Sequence, residues 1–150
     1  MDVKSTIYHY CNYQERCHSQ VRNKLYELGC TTPEVAQYTA ELIEAGLLNE
    51  ERYACAYARG KFRMLRWGKQ KILQQFKING ISAYCIKKAM KEIDEDEYEK
   101  TLAGLAEHKW RELHKERSLA TRKGKVYRYL VQKGYERDLI TDILNKFKQN

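Results

Sequence analysis

The sequence holds one proline, Pro33, in 150 residues. Proline removes a backbone donor and clashes with the preceding turn, so its scarcity suits uninterrupted helices joined by short connections. No stretch approaches the roughly eighteen apolar residues of a membrane-spanning helix, which excludes one. Met1 to Tyr10 lacks the basic start and apolar run of a secretory signal, so a cytoplasmic location is expected. Cys-x-x-Cys pairs are missing as well. The five cysteines, Cys11, Cys17, Cys30, Cys55 and Cys85, are odd in number, and in a reducing compartment they read as free thiols filling helix faces.

The parts needed for catalysis are equally scarce. Neither G-x-x-x-x-G-K-[ST] nor G-x-G-x-x-G occurs, so no phosphate-binding loop is expected. His108 and His114, the closest histidine pair, are six residues apart and do not share a helix face. His9 with Cys11, and Cys17 with His18, lack the tight paired spacing of zinc ligands. Adjacent helical residues point about 100° apart, so Cys17 and His18 do not form a nucleophile and base. The run Asp94, Glu95, Asp96, Glu97 lacks the alternating oxygen ligands of a calcium loop. It suits the positive end of a helix dipole. The expectation is therefore a protein with no cofactor, no metal and no catalytic residue.

Carboxylates are missing from one long region. Residues 1–51 carry four basic and eight acidic groups, and residues 92–150 carry thirteen and twelve. Residues 52–91 carry eleven basic groups and no acid, so they supply the whole of the net +8. A field of one sign attracts polyanions and acidic protein surfaces. Within it lie Arg59, Lys61, Arg63, Arg66, Trp67, Lys69 and Lys71. Arg59, Arg63 and Arg66 recur at +4 and +3, the spacing of one helix face. Trp67 fits two roles, packing between helices or stacking on a partner. A second acid-free stretch, Arg117 to Tyr135, adds Arg122, Lys123, Lys125 and Arg128. These eleven residues form the candidate surface for a partner protein or nucleic acid.

What the sequence does contain is a repeat. Val21, Leu25, Gly29, Val35 and Leu42 are spaced +4, +4, +6 and +7. Ile72, Phe76, Gly80, Ile86 and Ile93 repeat the spacing, as do Val126, Leu130, Gly134, Ile140 and Phe147. Apolar residues four apart share a helix face, and a glycine four further on ends the helix cheaply in the left-handed conformation. The next helix starts within a few residues, with Thr32 before Pro33, Ser82, or the acidic Glu136 to Asp138 at its start. Each copy reads as a helix-turn-helix hairpin. A third helix capped by Asn49 follows the first copy, and one opened by Asp94 to Glu97 follows the second. The fold expected is all-α, with tandem three-helix units over residues 1–66, 67–116 and 117–150, the last truncated.

Gly46-Leu47-Leu48-Asn49-Glu50-Glu51-Arg52-Tyr53-Ala54 resembles the Gly-Leu-Leu-Asp-Asp-Glu-Arg-Phe-Ala pattern of the RecX family. Tyr10-Cys11, Glu15-Arg16 and Val21-Arg22-Asn23-Lys24-Leu25 resemble its upstream blocks. Gly68-Lys69-Gln70-Lys71-Ile72 and Lys77-Ile78-Asn79-Gly80-Ile81 resemble its downstream ones. The likeness runs from about Tyr10 to Lys148. It departs at Cys17 and Gln20, where the family has a serine and an acid, at Asn49, and at Trp67-Gly68-Lys69. The resemblance implies an elongated, curved array of helical repeats with a basic face. It implies a partner, the RecA recombinase filament on single-stranded DNA, whose ATPase and strand exchange are inhibited. A monomer acting without chemistry of its own is the expectation.

An alternative of another class is a helical-repeat module that acts directly on nucleic acid, each hairpin working as helix-turn-helix. The second helix of the first hairpin speaks against it. Residues 33–45 carry Glu34, Glu41 and Glu44 and no lysine or arginine.

Overall fold

The computed structural model describes residues 2–148. Among these the chain is all-helical, with α1 (Val3–Tyr13), α2 (His18–Glu27), α3 (Thr32–Glu44), α4 (Glu50–Leu65), α5 (Lys69–Ile78), α6 (Ala83–Met90), α7 (Glu95–Glu112), α8 (Leu119–Lys133) and α9 (Arg137–Leu144). The three repeat glycines, Gly29, Gly80 and Gly134, all have positive φ. Each closes the first helix of its hairpin, as the spacing predicts. The chain divides into two compact units. One runs to Ala58 and resumes over Phe76–Met90; the other holds Arg59–Gln75 and continues from Lys91.

Side chains start most of these helices. Asn49 Oδ1 accepts from the backbone N–H of Arg52 at 3.0 Å, Ser82 Oγ from that of Cys85 at 3.2 Å, and Asp94 from that of Glu97 at 3.0 Å. Asn49 and Ser82 are the caps the sequence suggests, and Asp94 heads the acidic run expected to open α7. At α3 the cap is Thr31 and not Thr32. The Glu34 carboxylate accepts from the Thr31 N–H at 2.9 Å, and Thr31 Oγ1 accepts from the Glu34 N–H at 3.4 Å. A capping box needs the glutamate three residues after the cap, a spacing that Thr31 has and Thr32 lacks. The departure at Cys17 and Gln20 still starts α2, since the Cys17 N–H donates to Gln20 Oε1 at 3.0 Å.

In the first unit the core gathers Ile7, Cys11, Val21, Leu25, Cys30, Val35, Leu42 and Leu48. Helix α1 lies outside the repeat frame. Its buried side chains are Ile7 and Cys11, one pair of fours in a polar segment, and Asp2 caps it by accepting from the Ser5 N–H at 2.7 Å. None of the five cysteines is in a disulfide among the described residues; four of them are buried and Cys55 is half-buried. In the second hairpin the inward stripe on α6 is Cys85 and Ala89, and Ile86 sits on its shoulder, half-buried.

In the second unit α7 buries Tyr98, Leu102, Ala106 and Trp110, a stripe of fours. It packs on α8 and α9, which pack on each other. The third hairpin thus takes its extra helix from upstream, whereas the grouping expected from the sequence attaches α7 to the second hairpin. Phe147, the last residue of the repeat frame, lies beyond α9 and stacks on Trp110 with ring centroids 4.9 Å apart. No described helix is long and apolar enough to cross a membrane.

Candidate partner-binding surface

The basic stretch forms the joint between α4 and α5, and its backbone is tied to the end of α8. The Gly68 N–H donates to the Lys133 carbonyl at 2.7 Å, and the Gln70 N–H donates to the Gly134 carbonyl at 2.8 Å. Lys133 Nζ donates to the Leu65 carbonyl at 3.0 Å, and the Tyr135 hydroxyl to the Arg66 carbonyl at 2.8 Å. Carbonyls at the end of a helix lack intrahelical partners, so these donors satisfy the end of α4. Arg66 itself is left-handed, with φ 56°. That corrects the expected single face: Arg59 and Arg63 lie on α4, but the chain has left the helix at Arg66 and aims it separately.

A buried tyrosine holds the same joint from below. The Tyr98 hydroxyl accepts from the Lys69 N–H at 2.9 Å and donates to the Glu136 carboxylate. Its ring lies 5.1 Å from that of Tyr135 and 5.8 Å from that of Phe62. Burial, and then the bond to Glu136, push the Tyr98 hydroxyl well above the ordinary tyrosine range. Burial does the same to Tyr135.

The candidate residues sort into four groups. Arg122 leaves the surface. It is 8% exposed, lies 3.8 Å over the Trp110 ring, and donates from Nε to the Trp110 carbonyl at 3.0 Å. A cation at the C-terminal end of a helix offsets its negative pole, so this arginine serves α7. Arg59, Lys69 and Lys125 are spoken for in part, paired with Glu92 at 3.2 Å, with Glu95 and with Glu116. Lys61 and Lys71 stand over the Trp67 ring at 5.1 and 4.6 Å, which makes half-buried Trp67 a support for cations. Arg63, Arg66, Lys123 and Arg128 remain. Among the described residues none of these four makes an ion pair, and all belong to the second unit. Arg63, Arg66 and Arg128 are exposed and Lys123 half-buried.

Next to this joint lies a groove that no sequence pattern announces. It has a volume of about 730 Å³ and lies between the end of α4, the middle of α7 and the end of α8. Met64 and Leu65 border it, 83% and 45% exposed. Isolated apolar residues at a helix end look like ordinary surface in a sequence, and only the arrival of α7 and α8 beside them makes a groove.

The comparisons with known proteins agree with this architecture. The model of the second three-helix domain of RecX matches residues 49–90, and that of the third three-helix domain of RecX matches residues 95–144. These spans take in α4–α6 and α7–α9, one helix out of phase with the grouping expected from the sequence. The chain is 30% identical over 132 residues to the regulatory protein RecX of Clostridium perfringens (strain 13 / Type A), covering 87% of this chain and 61% of that one. It is 30% identical over 134 residues to the regulatory protein RecX of Lactococcus lactis subsp. cremoris (strain SK11), covering 88% of this chain and 50% of that one. The chain thus spans about half to three-fifths of the length of these relatives. The crystal structure of RecX from Lactobacillus salivarius has the same fold, with a TM-score of 0.83 at 22% identity over 95% of this chain and 92% of that one. With two adjacent domain models covering more than half of its residues, the chain belongs to the RecX family.

Proposed function

We propose that this chain is a regulatory binding protein of the cytoplasm that docks on RecA recombinase filaments on single-stranded DNA and lowers their ATPase and strand exchange. The family match carries the reading. Arg63, Arg66, Lys123 and Arg128 support it, because cations without an ion-pair partner are available to an acidic groove or to phosphate. The protein acts as a monomer and by contact, performing no chemistry. The test is inhibition of recombinase ATPase across a salt series by the wild type and by the quadruple alanine variant of these residues. Exposed charges contribute about 0–1 kcal/mol to folding, so the melting curve should stay in place. Inhibition should weaken at low salt and become much less dependent on salt. A folded variant that inhibits like the wild type at every salt concentration overturns the reading of this surface. Absence of inhibition by the wild type overturns the partner.

A second reading, direct binding of single-stranded nucleic acid, is favoured by the Phe76–Met90 segment of the first unit, which holds the end of α5 and all of α6. There Tyr84 is 63% exposed, Lys88 stands 5.6 Å from its ring centroid, and Lys77 and Lys87 are exposed beside it in sequence. Aromatic faces with cations around them suit stacked bases and their phosphates.

A further inference from the structure

We infer that the groove between α4, α7 and α8 is a docking site for an acidic protein segment that carries an aliphatic anchor. The inference rests on the reading that this chain works by holding a partner protein. It adds the chemistry of one part of that interface.

Four observations point to that occupant. The groove has room for a few side chains, at about 730 Å³, and Met64, Leu65 and Leu105 give it an aliphatic lining. Met64 and Leu65, 83% and 45% exposed, leave adjoining apolar surface in water at the edge of a concavity, the kind of patch a partner covers. Arg66, Lys100 and Lys133 line the same groove, and among the described residues no carboxylate does. Lys133 is engaged with the Leu65 carbonyl, but Arg66 and Lys100 make no ion pair among the described residues. Glu97 lines a smaller adjoining hollow, together with Arg63 and Arg66. The excess positive charge on an apolar groove therefore calls for carboxylates flanking a hydrophobic side chain.

The floor of the groove supplies the fourth observation. Gly104 lies in the middle of α7 and is exposed, and a Cβ built on it would meet nothing within 4 Å. A glycine inside a helix weakens the helix, and no close approach within this chain requires it. It leaves the α7 backbone open to an incoming chain. A nucleic acid fits less well. Of the two rings in the groove, Tyr129 already has Lys109 Nζ 5.0 Å from its centroid and His108 lies 3.4 Å from the Glu112 carboxylate, and the apolar lining is otherwise aliphatic, so base stacking has little to use.

The experiment is fluorescence anisotropy on the full chain with three labelled probes. One is a short end-blocked peptide of glutamates and leucines, the second is the same peptide with serine for leucine, and the third is an oligothymidylate of equal charge. The leucine peptide should bind at least about fivefold more tightly than the serine peptide, since burying one aliphatic side chain is worth that much or more. Gly104→Leu starts from a Cβ position with nothing within 4 Å and extends into the groove, so circular dichroism should be unchanged while leucine-peptide affinity falls at least about tenfold. Leu65→Glu, on an exposed side chain, is the second variant and should also lose the leucine peptide. Equal binding of the two peptides, no detectable binding of the leucine peptide, or unchanged affinity in both folded variants overturns the inference. An oligothymidylate that loses more affinity than the peptide in Gly104→Leu overturns it in favour of nucleic acid. None of these results depends on recombinase, so the ATPase assay can succeed or fail independently.

Discussion

Gly68 and Gly134 meet backbone to backbone: a Cβ on Gly68 would stand 2.2 Å from the carbonyl carbon of Gly134, and one on Gly134 would stand 2.4 Å from Lys71 Cβ. The approach lets the Gly68 N–H reach the Lys133 carbonyl at 2.7 Å. Gly134 has the additional demand of φ 102°. Backbone cannot yield as a flexible side chain does, so Gly68→Ala should cost about 2–4 kcal/mol, the upper range of overpacking effects. Gly104→Ala, in an open helix interior, should gain about 1 kcal/mol. Urea unfolding of the two variants beside the wild type checks both signs. A Gly68→Ala protein as stable as the wild type would mean the joint can open without loss.

The buried tyrosines of the second unit should make stability fall in alkali. Tyr98 and Tyr135 both hold their protons above the ordinary value of 10.0, chiefly through burial. In the folded protein they stay neutral where the unfolded chain ionises. The folded state then binds more protons than the unfolded one, and stability decreases as pH rises past that ordinary value. Below it the contribution is fully present. Tyr98→Phe should lower stability near neutrality by about 1–3 kcal/mol, because the Lys69 N–H and the Glu136 carboxylate lose a partner. It should also flatten the alkaline decline. Denaturation midpoints from neutral pH to about pH 11 measure both effects. A decline as steep in the variant as in the wild type would assign it to other groups.

Arg122 separates a structural cation from a binding one. Its guanidinium lies on Trp110, which stacks on Phe147, and it donates to the carbonyl of that same tryptophan. Arg122→Ala removes packing together with charged hydrogen bonds and should cost about 2–4 kcal/mol. Arg122→Lys should recover only part, since an ammonium cannot stack and donate in the same plane. Thermal melts followed by circular dichroism give the order wild type, lysine, alanine. An alanine variant that melts with the wild type would return Arg122 to the candidate surface.

That residue also marks how far the sequence can be read. The helices are legible because their causes are local: apolar fours, a glycine after them, a capping side chain three residues before its target. Asn49 and Ser82 cap as expected, and Asp94 caps the helix that its acidic run is expected to open. Helix α1 escapes because two buried residues make too faint a stripe. The candidate surface is legible as charge and illegible as geometry. Arg122 and Arg128 look alike in an acid-free stretch, and only the approach of Trp110 from twelve residues upstream buries one of them. Arg66 follows Arg63 at helical spacing, yet the left-handed turn at Arg66 takes it off the helix. The groove depends on three helix segments distant in sequence, and no local pattern encodes such a meeting.

The α5–α6 hairpin offers a direct test of the second functional reading. Tyr84 and Ile78 are 63% and 69% exposed, and Lys77, Lys87 and Lys88 are exposed with them. None of these lysines makes an ion pair among the described residues, and Lys88 is held near the Tyr84 ring. If the hairpin meets single-stranded DNA, Tyr84→Ala should cost about 1–3 kcal/mol of binding, the usual worth of one stacked base. Tyr84→Phe should keep most of it, because stacking needs the ring and not the hydroxyl. Lys87→Ala with Lys88→Ala should instead lower the salt dependence of binding, by up to about 0.7 on a log–log plot for each phosphate no longer neutralised. None of these changes touches the core, so all three variants should melt with the wild type. Titration of a labelled oligothymidylate at several salt concentrations reads all three effects. Should Tyr84→Ala bind with wild-type affinity and slope, this face of the hairpin is a solvated surface, and any binding of DNA has to come from elsewhere in the chain.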